Sequence, residues 1–438
     1  MTLQSTMKSP YFQTFSRFLA ICLALVCACL RARCQQYLVT DLGTNVQPQF
    51  IANNGDVVGI LSVTNPGTTS LNGQRAFFFT NGAATSVSAG PGTTNNAAYA
   101  VNNLGQSVGW FQDTVGAVHC FTSTNSALLG DLGIGAAYQS ANLRWNGAIG
   151  INDSGQILGT RPLTPYPAST FPRAFLISNG TTNDLPLLGA VSDFTIAGAL
   201  NQNGGAAYIE STNFFATVLG CVYTNGGRFV LPAPSNMKVS IYGINDSNQV
   251  VGSLQMTNSP FFSLPFLFDG STVTNIGGGG FGYQATGINN YGQVVGFGVN
   301  TNSLPWVTNE FVYDVANGMG NLNTMLPASS GWVIGPPAGI NDAGQIIAQG
   351  TFQGHLHGCL LTPGLFFNPN SFKYNSHTGT FTFKVSGING QTVIIQGSCD
   401  LQIWENLATN TIVSGSTTYT DPDTSTCSTR YYRAVILQ

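Results

Sequence analysis

Gly150-Ile151-Asn152-Asp153-Ser154-Gly155-Gln156-Ile157-Leu158-Gly159 is the stretch whose reading decides the fold. Asn152 opens a type I turn, where Asn or Asp at the first position can bond the backbone two residues on. Asp153 and Ser154 fill the middle. Gly155 takes the left-handed position and makes the bulge that lets a type I turn match strand twist. Gln156-Ile157-Leu158 then begins a return strand, so the segment predicts a β-hairpin.

The phrase recurs as Gly243-Ile244-Asn245-Asp246-Ser247-Asn248-Gln249-Val250-Val251-Gly252, at 287–296, and at 339–348 with Ala348 last. Weaker copies stand at 100–109, 199–208 and 50–59, which makes seven. The turn glycine or its stand-in falls at 55, 105, 155, 204, 248, 292 and 344, at intervals of 50, 50, 49, 44, 44 and 52 residues. The structural turn residues of the four strong copies are therefore Asn152 and Gly155, Asn245 and Asn248, Asn289 and Gly292, and Asn341 and Gly344. Asn248 replaces glycine because asparagine is the next best residue at positive φ.

About 15 to 25 residues after each hairpin a third strand is predicted, as at Arg75-Ala76-Phe77, His119-Cys120-Phe121 and Arg173-Ala174-Phe175. An Asn-Gly or Asp-Gly turn often follows, as at Asn81-Gly82, Asn179-Gly180 and Asp269-Gly270, before a fourth strand ending in a phrase such as Asp131-Leu132-Gly133. Four short strands per period of this size is the pattern of one propeller blade. The seventh unit stops after its third strand, Gly358-Cys359-Leu360-Leu361. Tyr37-Leu38-Val39-Thr40-Asp41-Leu42-Gly43, ahead of the first hairpin, reads as the missing fourth. A blade assembled from both ends closes a ring and leaves no exposed edge. An all-β protein follows: a seven-bladed β-propeller over 35–364, then a small C-terminal β-sandwich over 365–438.

Composition agrees. Of the 438 residues, 53 are Gly and only 7% are charged. Charged residues make up about 25% of an average soluble protein. Such a chain suits short strands and tight turns rather than long helices. A formal net charge of −3, with no basic stripe, excludes nucleic acid as a partner. Lys8 and Arg17 precede the apolar run 18–30, and Ala32-Arg33-Cys34 follows, so 1–34 reads as a secretory signal, with Met7 a second candidate start. A lipoprotein site at Cys29 and a retained anchor are weaker readings of the same segment. The run is short for a membrane span, and no transmembrane helix is expected in the mature chain. Of the nine cysteines, Cys22, Cys27, Cys29 and Cys34 fall in the signal region. Cys120, Cys221 and Cys359 read as small buried hydrophobes. Cys399 and Cys427 share the last module, where an exported protein permits a disulfide.

The Gly-Ile-Asn-Asp-x-Gly-Gln-Val-Val-Gly phrase, the Ala-Phe-Leu strand and the Asp-Leu-Gly ending resemble the HAF family of extracellular repeats, named for a His-Ala-Phe triplet. His119-Cys120-Phe121 comes closest to that triplet, while Arg75 and Arg173 hold the His position elsewhere. The resemblance covers roughly 35–364 and implies export and a repeat fold, but no defined activity. After about Leu365 the strand candidates are Thr380–Val385, Thr392–Gln396 and Arg430–Val435, with Asn389-Gly390 read as a hairpin turn. The Gly-Gln-Thr, Ser-Cys-Asp-Leu-Gln-x-Trp and Arg-Tyr-Tyr-Arg phrases resemble a fibronectin type III-like sandwich module of secreted verrucomicrobial-type bacterial proteins. That likeness implies surface or envelope association.

No active site emerges. Between 35 and 364 there are 13 acids, and only Asp113, Asp193 and Glu210 lie off the repeat pattern. They read as solvated loop acids. His355 and His357 share a strand face without a third metal ligand. The Asn-Asp-x-Gly turns offer too few oxygens for Ca²⁺, which takes six to eight. The Asn152 and Asn245 sequons coincide with turn asparagines, and Gly277–Gly280 lacks the Lys-Ser/Thr of a phosphate loop. No catalytic, cofactor-binding or metal residue is assigned. The expected role is a secreted or cell-surface binding or adhesion protein, with a glycan or cell-surface protein as partner. The alternatives are an extracellular glycan lyase or hydrolase and a purely structural envelope component.

Overall fold

The computed structural model describes residues 37–63, 73–87, 93–124, 129–134, 137–138, 147–162, 172–187, 194–212, 217–224, 226–259, 262–277, 280–300, 307–315, 318–327, 329–387, 392–413, 416–422, 424, 427 and 429–436. The export segment, Asp193 and Asn389-Gly390 lie outside them. Two compact units form, Tyr37–Thr362 and one whose described part begins at Pro363.

The third repeat shows the plan of the first unit. Gly147–Ile151, Ile157–Pro162, Pro172–Ser178 and Thr181–Asp184 pair antiparallel in chain order. The order recurs from Val46–Ile51 to Ala83–Val87 and from Phe194–Leu200 to Gly227–Val230. In the second repeat, Gly130–Asp131 and Ala137–Tyr138 share the outer edge of Ala117–Thr124. The fifth and sixth repeats join into one sheet because Phe262 and Ser263 also pair with Phe281 and Gly280. In the last sheet, Tyr37–Thr44 lies beside His355–Pro363, followed by Ile346–Phe352 and Trp332–Ile340. The first strand of the unit thus completes the sheet of its last repeat, as the sequence predicts. Asn45 N–H donates to the Leu356 carbonyl at 3.0 Å, next to that seam.

Apolar cores lie between repeats. Leu158, Ala174, Leu176 and Leu185 of the third pack against Ala197, Ala206, Tyr208 and Cys221 of the fourth. Leu42, Val46, Ile51, Val57 and Phe77 pack against Ile347 and Leu360, which unites the two ends of the unit. Within each sheet the second and third strands obey a size rule. Gly59, Gly109, Gly159, Gly252 and Gly296 stand opposite Phe77, Phe121, Phe175, Phe266 and Phe311. A Cβ on Gly159 would lie 2.5 Å from Phe175 Cζ and 2.6 Å from the Gly147 carbonyl oxygen. Where the glycine becomes Tyr208 or Ala348, the phenylalanine becomes Cys221 or Cys359. Cys221 and Cys359 are therefore small partners in this exchange, while Cys120 stands opposite Trp110.

In the second unit, Phe366–Asn375, Thr380–Ser386 and Ser416–Asp421 form one sheet, and Glu405–Thr411, Thr392–Ser398 and Tyr431–Ile436 another. Phe383, Val385, Val393, Ile395 and Ile412 form a core with no exposure. The hairpin read at Asn389-Gly390 is corrected by this topology. Thr380–Ser386 and Thr392–Ser398 belong to different sheets, because both strands turn their apolar alternation into one core, and that burial outweighs a local turn preference.

Replacing Gly159 by Ala should lower the unfolding free energy by about 1–3 kcal/mol through overpacking. Urea denaturation should show an earlier midpoint with an unchanged slope.

Candidate functional site

Each repeat turn has one geometry. Gly155 N–H donates to the Asn152 carbonyl at 3.0 Å, and Asn152 N–H to the Gln156 carbonyl at 3.1 Å. The residues at 55, 105, 155, 204, 248, 292 and 344 all take positive φ, from 59° at Asn248 to 91° at Gly55. All seven turns share the bond from this residue's N–H to the carbonyl three residues before it.

The first asparagine does more than open a turn. Asn102, Asn152, Asn201, Asn245, Asn289 and Asn341 are all buried. Asn152 Oδ1 accepts from Gln156 N–H at 2.9 Å, and its Nδ2 donates to Gln156 Oε1 at 2.8 Å. The second Nδ2 hydrogen crosses to the next repeat, at 3.2 Å from the Asn201 carbonyl. The crossing runs from Asn102 to Asn152, Asn201 to Asn245, Asn245 to Asn289, and Asn289 to Asn341 at 2.8–3.1 Å. Asn341 then donates to the Ala52 carbonyl at 3.0 Å, from the last repeat back to the first. Asp cannot replace these residues, because an ionised carboxylate only accepts.

A second ring, exposed to solvent, runs beside this buried inner one. Asn103 N–H donates to Asp153 Oδ1, Asp153 N–H to Gln202 Oε1, and Gln202 N–H to Asp246 Oδ1, at 2.8–2.9 Å. The same step links Asp246 to Asn290, Asn290 to Asp342, and Asp342 to Asn53. The acids Asp153, Asp246 and Asp342 alternate with amides, so no two carboxylates are neighbours. This pattern is why the Asn-Asp turns resist a Ca²⁺ reading: their oxygens already receive amide protons.

Inside the rings lies a cavity of about 750 Å³ lined by the first strand of every repeat. Each of those strands carries a second bulge, which the sequence reading missed. The register slips by one residue at Gln49, Tyr99, Ile149, Gly198, Tyr242, Thr286 and Ala338. All seven of these residues line the cavity. Among the described residues, the lining contains no Lys, Arg or His, and its only acids are Asp246 and Asp342 of the exposed ring.

The off-pattern groups are engaged elsewhere. Glu210 is not a solvated loop acid: it is fully buried on the strand Ala206–Thr212 and pairs with Arg228 at 3.1 Å. Burial there is offset by a placed guanidinium. Asp113 accepts from Val115 and Ala117 N–H and contacts His119 Nε2 at 3.3 Å. Partial desolvation raises its pKa, but those three bonds outweigh it and hold the carboxyl below its ordinary value. His119 also meets Asp131 at 3.2 Å, and His357 meets Asp41 at 2.9 Å. Asp41 and Asp131 each accept from the glycine two residues on, Gly43 and Gly133. The histidine of the triplet and the Asp-Leu-Gly ending are thus two halves of one contact. Asp269 does not open a two-residue turn. Its carboxylate gathers Ser271 and Thr272 N–H and both hydroxyls into a wider loop.

Cys120, Cys221 and Cys359 are free and buried, and burial pushes each thiol up to about 12. Cys399 and Cys427 are disulfide-bonded. Among the described residues, no group of three or more His, Cys, Asp or Glu is arranged to hold a metal ion. Among the same residues, no helix is long and apolar enough to cross a membrane.

No family profile and no curated protein matches the chain. Solved structures resemble it at low identity. The β-propeller domain of the Trilobed protease from Pyrococcus furiosus is 8% identical, with a TM-score of 0.45 over 75% of this chain and 93% of that one. Pyrococcus horikoshii acylaminoacyl peptidase is 11% identical, with a TM-score of 0.45 over 78% of this chain and 58% of that one. The six-bladed β-propeller lectin of Aleuria aurantia is 11% identical, with a TM-score of 0.35 over 66% of this chain and 100% of that one.

Asn152→Asp should cost about 1–3 kcal/mol of stability, because it removes two donors from a buried site and leaves acceptors unpaired. Chemical denaturation of the variant measures this, with Asn179→Asp on an exposed turn as a near-neutral control. A chain beginning at Gln35 should show no reaction with a thiol reagent at pH 8 while folded, since thiolate is the reactive form. Unfolding should expose three thiols.

Proposed function

We propose that Tyr37–Thr362 is a closed seven-bladed β-propeller of the HAF-repeat type that acts as a non-catalytic binding protein at the cell exterior. In this reading 1–34 directs export, and the Pro363–Gln438 unit is a β-sandwich that associates with the surface or envelope. The observation that carries the binding role is the neutral cavity. It is walled by all seven first strands, furnished with Gln49, Tyr99, Tyr242, Gln284 and Thr286, and free of cationic side chains. A cavity of this size, with a mixed polar and apolar lining, falls in the range of small-ligand pockets, roughly 300–1,000 Å³, and supports the binding reading. Its lining favours an uncharged ligand with both hydroxyls and apolar faces, such as a glycan chain or a surface-protein loop. The engagement of Asp113 and Glu210 in turn and ion-pair contacts supports the non-catalytic part.

Glycan-array and pull-down screens with the exported chain should return a ligand. Tyr242→Ala should then weaken its binding at least tenfold, about 1.4 kcal/mol, with the unfolding transition unchanged. Blank results in both screens would overturn the reading. So would turnover of a polysaccharide panel that disappears in Glu210→Gln.

A further inference from the structure

Six of the seven repeats begin their turn with asparagine, but the first begins with Ala52. A methyl side chain has no amide to pass to the Asn102 carbonyl, so the inner ring lacks one rung. The same turn is unusual four residues later. Gln106, Gln156, Gln249, Gln293 and Gln345 hold that position in five repeats, whereas the first repeat has Asp56. Asn54 carries the link instead. Its N–H meets Asn103 Oδ1 at 3.1 Å, and its Nδ2 reaches the Asn103 carbonyl at 3.2 Å and Asp56 Oδ2 at 2.8 Å. The connection has moved out of the buried ring into the exposed one.

An open hollow of about 470 Å³ lies at this junction. Its walls include Asn54, Asp56, Asn81, Asn103, Leu104 and Gln345. Asp56 Oδ2 is engaged by Asn54, while Oδ1 has no protein partner among the described residues. The Asn81 amide, in the exposed turn before Gly82, has none either. Leu104 is 62% exposed and offers an apolar face beside them.

We propose that this junction between the first and second repeats binds a vicinal diol of a neutral saccharide. One carboxylate oxygen accepts the proton of a hydroxyl, the Asn81 amide donates to and accepts from the adjacent hydroxyl, and Leu104 packs against the C–H face of the ring. Other classes fit less well. A phosphate or sulfate would face Asp56 with no Lys or Arg in the lining. Ca²⁺ would need six to eight oxygens around a single carboxylate. The hollow falls in the size range of small-ligand pockets, roughly 300–1,000 Å³. The site is separate from the cavity walled by the first strands and stands independently of it.

The double variant Ala52→Asn/Asp56→Gln rewrites the odd turn as the standard one. It should keep or raise the melting temperature, because it restores the missing rung. Titration calorimetry and saturation-transfer NMR with methyl glycosides of glucose, galactose, mannose and fucose should show saturable binding to the wild-type chain. Affinity should fall at least tenfold in the double variant. Asn81→Gly removes the free amide without disturbing a turn that needs positive φ, and should weaken binding severalfold. It serves as the test should the double variant fail to fold. Loss of this binding in Tyr242→Ala, with the double variant binding as the wild type does, would place the sugar in the central cavity and overturn the assignment. Absence of saturable binding to all four glycosides at millimolar concentration would also overturn it. So would equal affinity in the wild type and the double variant, or in the wild type and Asn81→Gly.

Discussion

A single side-chain amide organises this unit. Asn102, Asn152, Asn245, Asn289 and Asn341 each close their own turn with one acceptor and one donor and send the remaining hydrogen to the next repeat, while Asn201, followed by Gly205, sends both hydrogens across. Local and long-range order are therefore set by the same group. A turn that formed the wrong way would leave a buried amide and a neighbour's carbonyl unpaired, which costs more than the bond itself is worth. Six such amides in sequence make the geometry of one junction depend on the next, and the last of them, Asn341, reaches the Ala52 carbonyl. The ladder is thus a closure constraint as well as a set of turns.

The seam between the two chain ends uses different means. Tyr37–Thr44 is held by its pairing with His355–Pro363, by burial of Leu42 with Ile347 and Leu360, and by the Asp41–His357 contact. These are the contacts any neighbouring pair of strands in the repeat would make, with the connecting turn removed. With Tyr37–Thr44 as the outer strand of that sheet, His355–Pro363 is paired on both sides. Tyr37 is buried there, and desolvation pushes its hydroxyl pKa above the ordinary value.

Much of this was legible in the residues because turns are local. The positive-φ positions, the hairpins, the third strands and the first strand's place in the last sheet follow from spacing and turn chemistry. What the residues hid were relations across space. The glycine opposite phenylalanine is a pair about 12 to 18 residues apart, and its meaning needs the strand register. Glu210 looks like a loop acid until Arg228 is seen beside it. The bulges at Gln49, Tyr99 and their counterparts carry no common residue type, so no pattern marks them. In the second unit, Asn389-Gly390 advertises a hairpin, yet its flanking strands part to opposite sides of one core. Local signals predict local structure, and they fail where an apolar face must find a partner elsewhere.

The same logic separates scaffold from site. Polar residues that complete one another, as Asp153, Gln202 and Asp246 do, have little left to offer a ligand, however suggestive their composition. Binding capacity collects where the repeat's own demands lapse. The seven bulges are one such place: the extra residue of each first strand is released from the ladder, and all seven line the cavity. The Ala52 turn is the other, where the inner ladder loses a rung. In a protein built from one repeated rule, function is to be sought at departures from the rule, and the varied residues at the bulges contrast with the recurrent Asn, Gly and Phe that maintain the frame.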